Sequence, residues 1–478
     1  MDIDSNKGHY TAPSLVIYSK TASYIIPKFA TISTKSIITN LRMSSINPSG
    51  DKMNPFANLA STLEDLEIGG TSAEEGDSSA SQTPPSNDGD EQSESEDDPE
   101  RPENMLFEHP VDLVTYEEQK GSTPIFSRAL LEQIWQDRKT IEERKGQTTY
   151  TGTDGTVFKT WEAIMPDILQ ANYRQVHYLP RVVLHPDFQK TYGQFRLSLQ
   201  LLRRYNGVGA ETHITAPYTV ETYRRIYENE HKSIDTMDAY RNAIKKTSNL
   251  WNKSSARNLL RQNIIDASTR SAPIKKIICF GLGCLSLDPR WYTSALQHIA
   301  VFDIAQTLHE EYERAGRGDV MKPIEIILQD PMYEEKDRQT LHRLHKYRLG
   351  AEKMSSTLRF VSDPEGLLAI DEHTLIVTAF LPVEVPLMQI LADLFAAGGG
   401  PAMMICDRMK PDTEKTEYTL RDRDAPHVAR WLSEQYSKLE GGFEEHHLEP
   451  ELRRDVYEES AREDRYWLKK MDLWVRKI

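Results

Sequence analysis

The chain has only three cysteines in 478 residues: Cys279, Cys284 and Cys406. None forms a Cys-x-x-Cys pair and the number is odd, so neither a disulfide framework nor a paired-thiolate metal site is expected. They read as core thiols in a reducing compartment. No run of about 18 apolar residues occurs, so no membrane span is predicted. His-Glu-x-x-His, Gly-x-Ser-x-Gly and the Walker phosphate loop are all missing, which removes three common routes to hydrolysis or phosphoryl transfer. Acids are absent between Ser5 and Gly50, where Lys7, Lys20, Lys28, Lys35 and Arg42 stand. Transit peptides share that bias. Arginine is scarce here, however, and Asp2 and Asp4 precede the stretch. A floppy extension is the plainer reading and a mitochondrial presequence the lesser one, with Met43 as an alternative start.

The acids are elsewhere. Of a formal net charge of −15, the segment Ser61–Asn104 supplies −14, with 15 acidic residues against Arg101 alone. The rest of the chain is near neutral and offers no broad basic field of the kind nucleic acid needs, so no nucleic-acid partner is expected, though a local basic site stays open. Residues 44–104 are rich in Ser, Glu, Asp, Gly and Pro and almost free of aromatics. Such a segment buries too little apolar surface to offset its chain entropy and is expected to be disordered. Within it, SESEDD (Ser93–Asp98) places acids three residues after Ser93 and Ser95. That pattern suits an acid-directed serine kinase, against the simpler reading of a solvating linker.

Order is predicted from near Pro124. Phe126, Leu130, Leu131, Ile134, Trp135 and Ile141 recur at helical spacing up to Gly146. Thr151–Phe158 carries turn chemistry. Gln194–Tyr205 and Val220–Tyr227 look helical, and one long helix is expected over Ile234–Ala267. Residues 105–245 thus read as a mixed or helical region, packing on the main domain or standing apart.

The C-terminal half is more regular. Strands are predicted at Ile277–Phe280, Ile324–Leu328, Leu358–Val361, Leu375–Phe380 and Ala402–Cys406. Helices fall between them at Trp291–Ala315, Glu334–Leu349 and Val385–Ala397. Continuous apolar strands alternating with helices predict an α/β fold, a Rossmann-like, mostly parallel sheet covered on both faces. The main domain is placed at 246–410. Residues 411–478 follow it with a helix over Ala425–Leu439 capped by Asp424, and an edge strand at Leu473–Ile478.

Six short motifs come in a particular order: CFGLG (Cys279–Gly283), QH (Gln297–His298), QDPMY (Gln329–Tyr333), LHKYRLG (Leu344–Gly350), DPEG (Asp363–Gly366) and FLP (Phe380–Pro382). Over roughly Trp251–Asp407 the series resembles the SRR-like domain, named from the plant protein "sensitivity to red light reduced". The chain departs from it where many members have Pro-His, since Val383 follows Pro382; no role for that histidine carries over. The resemblance implies a regulatory protein acting through protein partners, cytoplasmic or nuclear, with no assigned catalysis.

A ligand-binding alternative rests on Gly281, Gly283, Asp330, Asp363 and Asp407. Glycines after a first strand let a ligand approach backbone amides, and an acid ending the second strand can hold ribose hydroxyls. S-adenosylmethionine or a nucleotide would be the ligand, in an enzyme or sensor, although Ser286 replaces the third glycine of Gly-x-Gly-x-x-Gly. The helical pairs His298/His309 and His342/His345 invite a metal reading, but HRLHKYR lies among Arg343, Lys346 and Arg348 and reads as a solvated basic face. No metal and no resident cofactor are expected.

Overall fold

The computed structural model describes residues 108–477, apart from 122, 143–147, 152–154, 156, 161–171, 196–215, 225–233, 286–290, 317–322, 350–355, 384, 445 and 450–465. The chain divides at Glu96, and every described residue belongs to the unit Asp97–Ile478. Ser93 and Ser95 therefore lie outside the described residues, as does most of Gln194–Tyr205.

The unit opens with β1 (Val111–Asp112), α1 (Leu113–Lys120) and α2 (Arg128–Glu142). Asp112 caps α1, its carboxylate accepting from the Thr115 amide at 3.0 Å. β2 (Thr148–Thr151) and β3 (Val157–Thr160) pair antiparallel; of the residues between them, where the sequence carries turn chemistry, only Gly155 is described. β4 (Asn172–Tyr178) is followed by α3 (Arg181–Leu184), α4 (Pro186–Phe195) and β5 (Tyr218–Arg224). β5 corrects the helix predicted at Val220–Tyr227: Thr219, Val220, Thr222 and Tyr223 are β-branched or aromatic, and the strand pairs antiparallel with β4 from Tyr178↔Tyr218 to Asn172↔Arg224.

The long helix expected at 234–267 is two helices, α5 (Ile234–Lys253) and α6 (Ser255–Ser268). Ser254 breaks it, its hydroxyl accepting from the Arg257 amide at 3.1 Å as the cap of α6. Then come β6 (Lys276–Phe280), α7 (Trp291–Arg314), β7 (Ile324–Gln329), α8 (Glu335–Leu349), β8 (Ser356–Val361), α9 (Glu365–Leu368), β9 (Thr374–Thr378), α10 (Leu387–Leu394) and β10 (Met403–Asp407). β11 (Glu417–Tyr418) pairs with β1. α11 (Pro426–Gln435), β12 (Tyr436–Lys438) and β13 (Met471–Arg476) complete the unit. α11 is shorter than predicted, because Tyr436 turns extended and joins the sheet. Its cap is Ala425, with no side-chain bond, rather than Asp424.

Seven strands form one mixed sheet in the order β12-β13-β10-β9-β6-β7-β8. β6 to β10 run parallel, and β13 is antiparallel to both β10 and β12. Side chains alternate across the pleat. Ile277, Cys279, Ile326, Leu328, Val377 and Ile405 face one way, against α5, α6 and α7. Ile278, Phe280, Ile327, Ile376, Met404 and Cys406 face the other, where Leu113, Phe126, Leu131, Ile134, Val182 and Phe188 meet them beside α10 and α11. Burial on both faces explains why these strands read as unbroken apolar runs. α7 lies between the sheet and α5/α6, so it is buried almost all round from Ala295 to Leu308.

Each face is pinned by a buried carboxylate. On α7, Asp303 accepts from Trp251 Nε1 and from Arg257 at 2.9 Å and Arg348 at 2.6 Å. On α10, Asp393 accepts from the Ile125 and Phe126 amides at 3.0 Å each and from Arg181 at 2.6 Å. Arg181 also meets Glu117 at 3.3 Å, and Glu117 binds His427 at 2.7 Å and Arg430 at 2.9 Å. Removing one partner of such a network leaves an uncompensated charge. Asp393→Ala should therefore lower unfolding free energy by about 3–5 kcal/mol in urea denaturation. A loss under about 1 kcal/mol would show that Arg181 is neutralised without Asp393.

Candidate functional site

The carboxyl ends of five adjacent parallel strands bring most of the family motifs to one edge. After β6 the backbone turns through Gly281 (φ 66°) and Gly283 (φ 79°). Gly281 donates to the Gln329 carbonyl at 3.1 Å. A Cβ at Gly281 would lie 2.4 Å from Leu381 Cδ2, a side-chain end that would have to shift, so glycine is favoured here chiefly by its positive φ.

Gly283 and Asp330 meet, but as partners of one another. The Gly283 amide donates to Asp330 Oδ2 at 2.9 Å and the Met332 amide to Oδ1 at 2.8 Å. Tyr333 N–H closes the same turn on the Asp330 carbonyl at 3.3 Å. Burial raises the Asp330 carboxyl, and the two amides oppose that rise. Asp337 does similar work, accepting from the Leu285 amide at 3.2 Å and the Glu334 amide at 2.8 Å.

Behind the turn, the Ser294 hydroxyl lies 2.7 Å from both the Leu282 and Gly283 carbonyls. His298 Nδ1 is 2.7 Å from the Ser294 carbonyl and Nε2 is 2.6 Å from the Tyr333 hydroxyl. A carbonyl can only accept, so Nδ1 carries the proton and Nε2 accepts from Tyr333. Burial pulls the His298 pKa down to about 4, which keeps the ring neutral in that tautomer. His345 is also inside, its Nε2 2.8 Å from Ser356 Oγ, and its pKa too falls to about 4 by burial. It corrects the reading of HRLHKYR as wholly solvated, since one histidine in four positions turns inward on the helix. His446 likewise is buried against Asn263 and Phe443.

Asp363 stands at the end of β8 and belongs to a different group. Its Oδ1 accepts from Tyr178 at 2.7 Å, and its carbonyl from Arg138 at 2.8 Å. Burial, partly offset by Tyr178, Arg138 and Gln329, lifts its pKa to about 6. Gln329 connects the two groups, since its Oε1 accepts from the Gly366 amide at 2.8 Å.

Asp407, at the end of β10, is separate again. It pairs with Arg423 at 3.2 Å, and Arg423 also donates to the Leu381 carbonyl at 2.7 Å. Burial raises its pKa. Asp407 borders a small cleft with Thr378, Leu381, Met388, Cys406, Met409 and Arg423. The Thr378 hydroxyl is buried there without a hydrogen-bond partner. Between Thr378 and Leu381, Phe380 has φ 51°, the one non-glycine residue with positive φ among the described residues, and its side chain is 42% exposed.

Five carboxyl-edge candidates thus fall into three neighbourhoods. Gly281, Gly283 and Asp330 form one, Asp363 a second and Asp407 a third. Sequence reasoning missed His298, Tyr333, Tyr178, Arg423 and Phe380 as participants. His298 and Tyr333 sit in motifs already quoted, QH and QDPMY, which was the available signal. Tyr178 and Arg423 carry none, since each reaches its partner from outside the motif series. No cluster of metal-ligating side chains occurs among the described residues.

The architecture defines a mixed α/β domain whose repeated motifs build one strand edge. Residues 252–464 match the family model of the SRR1 domain. The match runs past the last motif into the segment that carries α11 and β12. No curated protein and no solved structure matches the chain.

Asp363 gives this edge a pH signature. Its folded pKa, about 6, lies above the unfolded value, so the folded state keeps a proton that the unfolded chain releases. Stability should fall as pH rises from about 4 through about 6 and then level off. In Asp363→Asn, which keeps an acceptor for Tyr178, that part of the slope should vanish. Urea midpoints across this range check it; equal slopes in both proteins would refute the assignment.

Proposed function

We propose that this SRR1 domain is a regulatory scaffold that acts through protein partners, with no catalysis assigned to it. One observation carries the reading: the polar groups of the glycine turn, the Gly283 amide and the Asp330 carboxylate, are spent on the chain's own loops. Both Asp330 oxygens accept backbone amides, one of them from Gly283, the amide a phosphate would need. Leu381 occupies the approach to Gly281. The acidic segment 61–104 would tune partner contacts, with phosphorylation at Ser93 and Ser95 adding charge, in a cytoplasmic or nuclear protein.

A second reading is a Rossmann-like small-molecule enzyme or sensor for S-adenosylmethionine or a nucleotide. The strand order favours it. Counted along the chain, the parallel strands β8-β7-β6-β9-β10 run 3-2-1-4-5, the order in which ligands lie at the switch between the first and fourth strands. Gly281 and Phe380 flank that switch.

Thermal unfolding of the full chain with S-adenosylmethionine, nucleotides, nicotinamide cofactors, flavins and haem separates the readings. A ligand at ~100 times its dissociation constant would add about 2.7 kcal/mol. The scaffold reading expects an unchanged midpoint with each. A rise that disappears in Asp330→Ala or Gly283→Val, each against its own baseline, would replace it by the sensor reading.

A further inference from the structure

A protein of net charge −15 keeps three helices, α5, α6 and α8, free of acid over most of their length. From Ala239 to Ile265 there is no Asp or Glu, against Arg241, Lys245, Lys246, Lys253, Arg257 and Arg261. From Arg338 to Ala351 there is none either, against Arg338, Arg343, Lys346 and Arg348. The fold sets these stretches side by side. Arg348 on α8 donates to Ser248 Oγ at 2.5 Å and Asn252 Oδ1 at 3.0 Å on α5, and Asp303 neutralises it from below.

Several of the cations have work inside the fold. Arg257 shares Asp303, Arg261 pairs with Glu310, and Arg338 lies over the Phe360 ring. Lys245 and Lys253 on α5, with Arg343 and Lys346 on α8, have no such partner and are exposed. On α8, one helix turn after Arg343, stands Tyr347, 56% exposed, the most exposed large hydrophobic side chain among the described residues. Unpaired like charges on neighbouring helix turns repel and raise the local potential. Nothing in the packing of α5 or α8 requires them, since the inward faces are held by Ile244, Trp251, Leu341 and Leu344.

We propose that the outer face of α5 and α8 docks an acidic, amphipathic protein segment. Its carboxylates or phosphates would meet Lys245, Lys253, Arg343 and Lys346, and an apolar side chain would cover Tyr347. The inference rests on the partner-binding reading above and names the chemistry of the partner. Charge complementarity selects an acidic occupant, and the exposed ring beside Arg343 and Lys346 selects one that also carries apolar groups.

The test is fluorescence anisotropy of the full chain with a short fluorescein-labelled peptide of glutamates interrupted by leucine and phenylalanine. Its glutamine analogue and a single-stranded oligonucleotide are run beside it. The acidic peptide should bind at low salt and weaken as salt rises. Changing Lys245, Lys253, Arg343 and Lys346 together to Glu should weaken it at least about tenfold. Changing Lys120, Lys275, Lys410 and Lys477 to Glu should change affinity by less than about threefold. Tyr347→Ala should weaken this peptide by about threefold and leave a pure glutamate peptide unaffected. If the fourfold Glu variant loses its folded midpoint, the same four positions changed to Gln give the comparison. No binding, equal loss in the two fourfold variants, or tighter binding of the oligonucleotide would each overturn the proposal. The peptide assay reads this face alone, so its failure leaves partner binding through other surfaces intact, whereas the ligand panel bears on the scaffold reading itself.

Discussion

A sheet with parallel central strands has no face that can be left to water, because its crossover helices and their neighbours must bury both sides. The rest of this domain follows from that constraint. β6, β7 and β9 carry Ile, Leu, Val, Cys and Phe on both sides of the pleat. One side is closed by α7 with α5 and α6 behind it. The other side takes α10 and α11 from the motif-bearing half, and the remaining apolar surface is met by Leu113, Phe126, Leu131, Ile134, Leu179 and Val182. Those residues precede the first central strand by more than ninety positions. The N-terminal part of the described chain is therefore a cover for the sheet, and its irregular sequence pattern reflects a layer assembled from short pieces.

Short pieces need something to fix where they sit, and apolar contact is not directional. The two carboxylates Asp303 and Asp393 supply direction. Each is buried on a helix that touches the sheet, and each collects donors from segments far away in sequence. A buried ion pair is weak evidence for net stability, because desolvation offsets much of the attraction. Its effect here is on placement. Arg181 can satisfy Asp393 and Glu117 together only if α3 lies across α1 and α10 in one orientation.

This division explains what could be read from the sequence. The five parallel strands were legible to within a few residues, since burial on both faces leaves an unbroken apolar run. β5 was not. Its seven residues, Tyr-Thr-Val-Glu-Thr-Tyr-Arg, are too short a run to separate a strand from two helix turns, and its partner β4 ends about forty residues earlier. The break at Ser254 was legible only as capping chemistry, a Ser-Ser pair at Ser254 and Ser255 in an otherwise helical run. At the candidate site the positions were right and the connections were not. A sequence shows that Gly283 and Asp330 end neighbouring strands; it does not show that one donates to the other. Tyr178, which tunes Asp363, comes from the covering layer, and nothing in its local sequence announces the contact.

The carboxyl edge also shows where the domain accepts strain. Gly281 and Gly283 take positive φ without penalty, and their amides are used internally, so the glycine turn is a closed structure. Phe380 takes positive φ with a bulky side chain, at a cost of about 1–2 kcal/mol, and leaves its ring partly in water. Both choices oppose stability, and neither repairs the other. The strained backbone does bring Leu381 against Gly281 and its carbonyl to Arg423, which in turn holds Asp407. One unfavourable residue thus sets the contacts on both sides of the point where the strand order reverses. A domain that needed only a folded sheet would place glycine at 380; phenylalanine there keeps an aromatic ring on the surface between the Leu381–Gly281 contact and the Arg423–Asp407 pair.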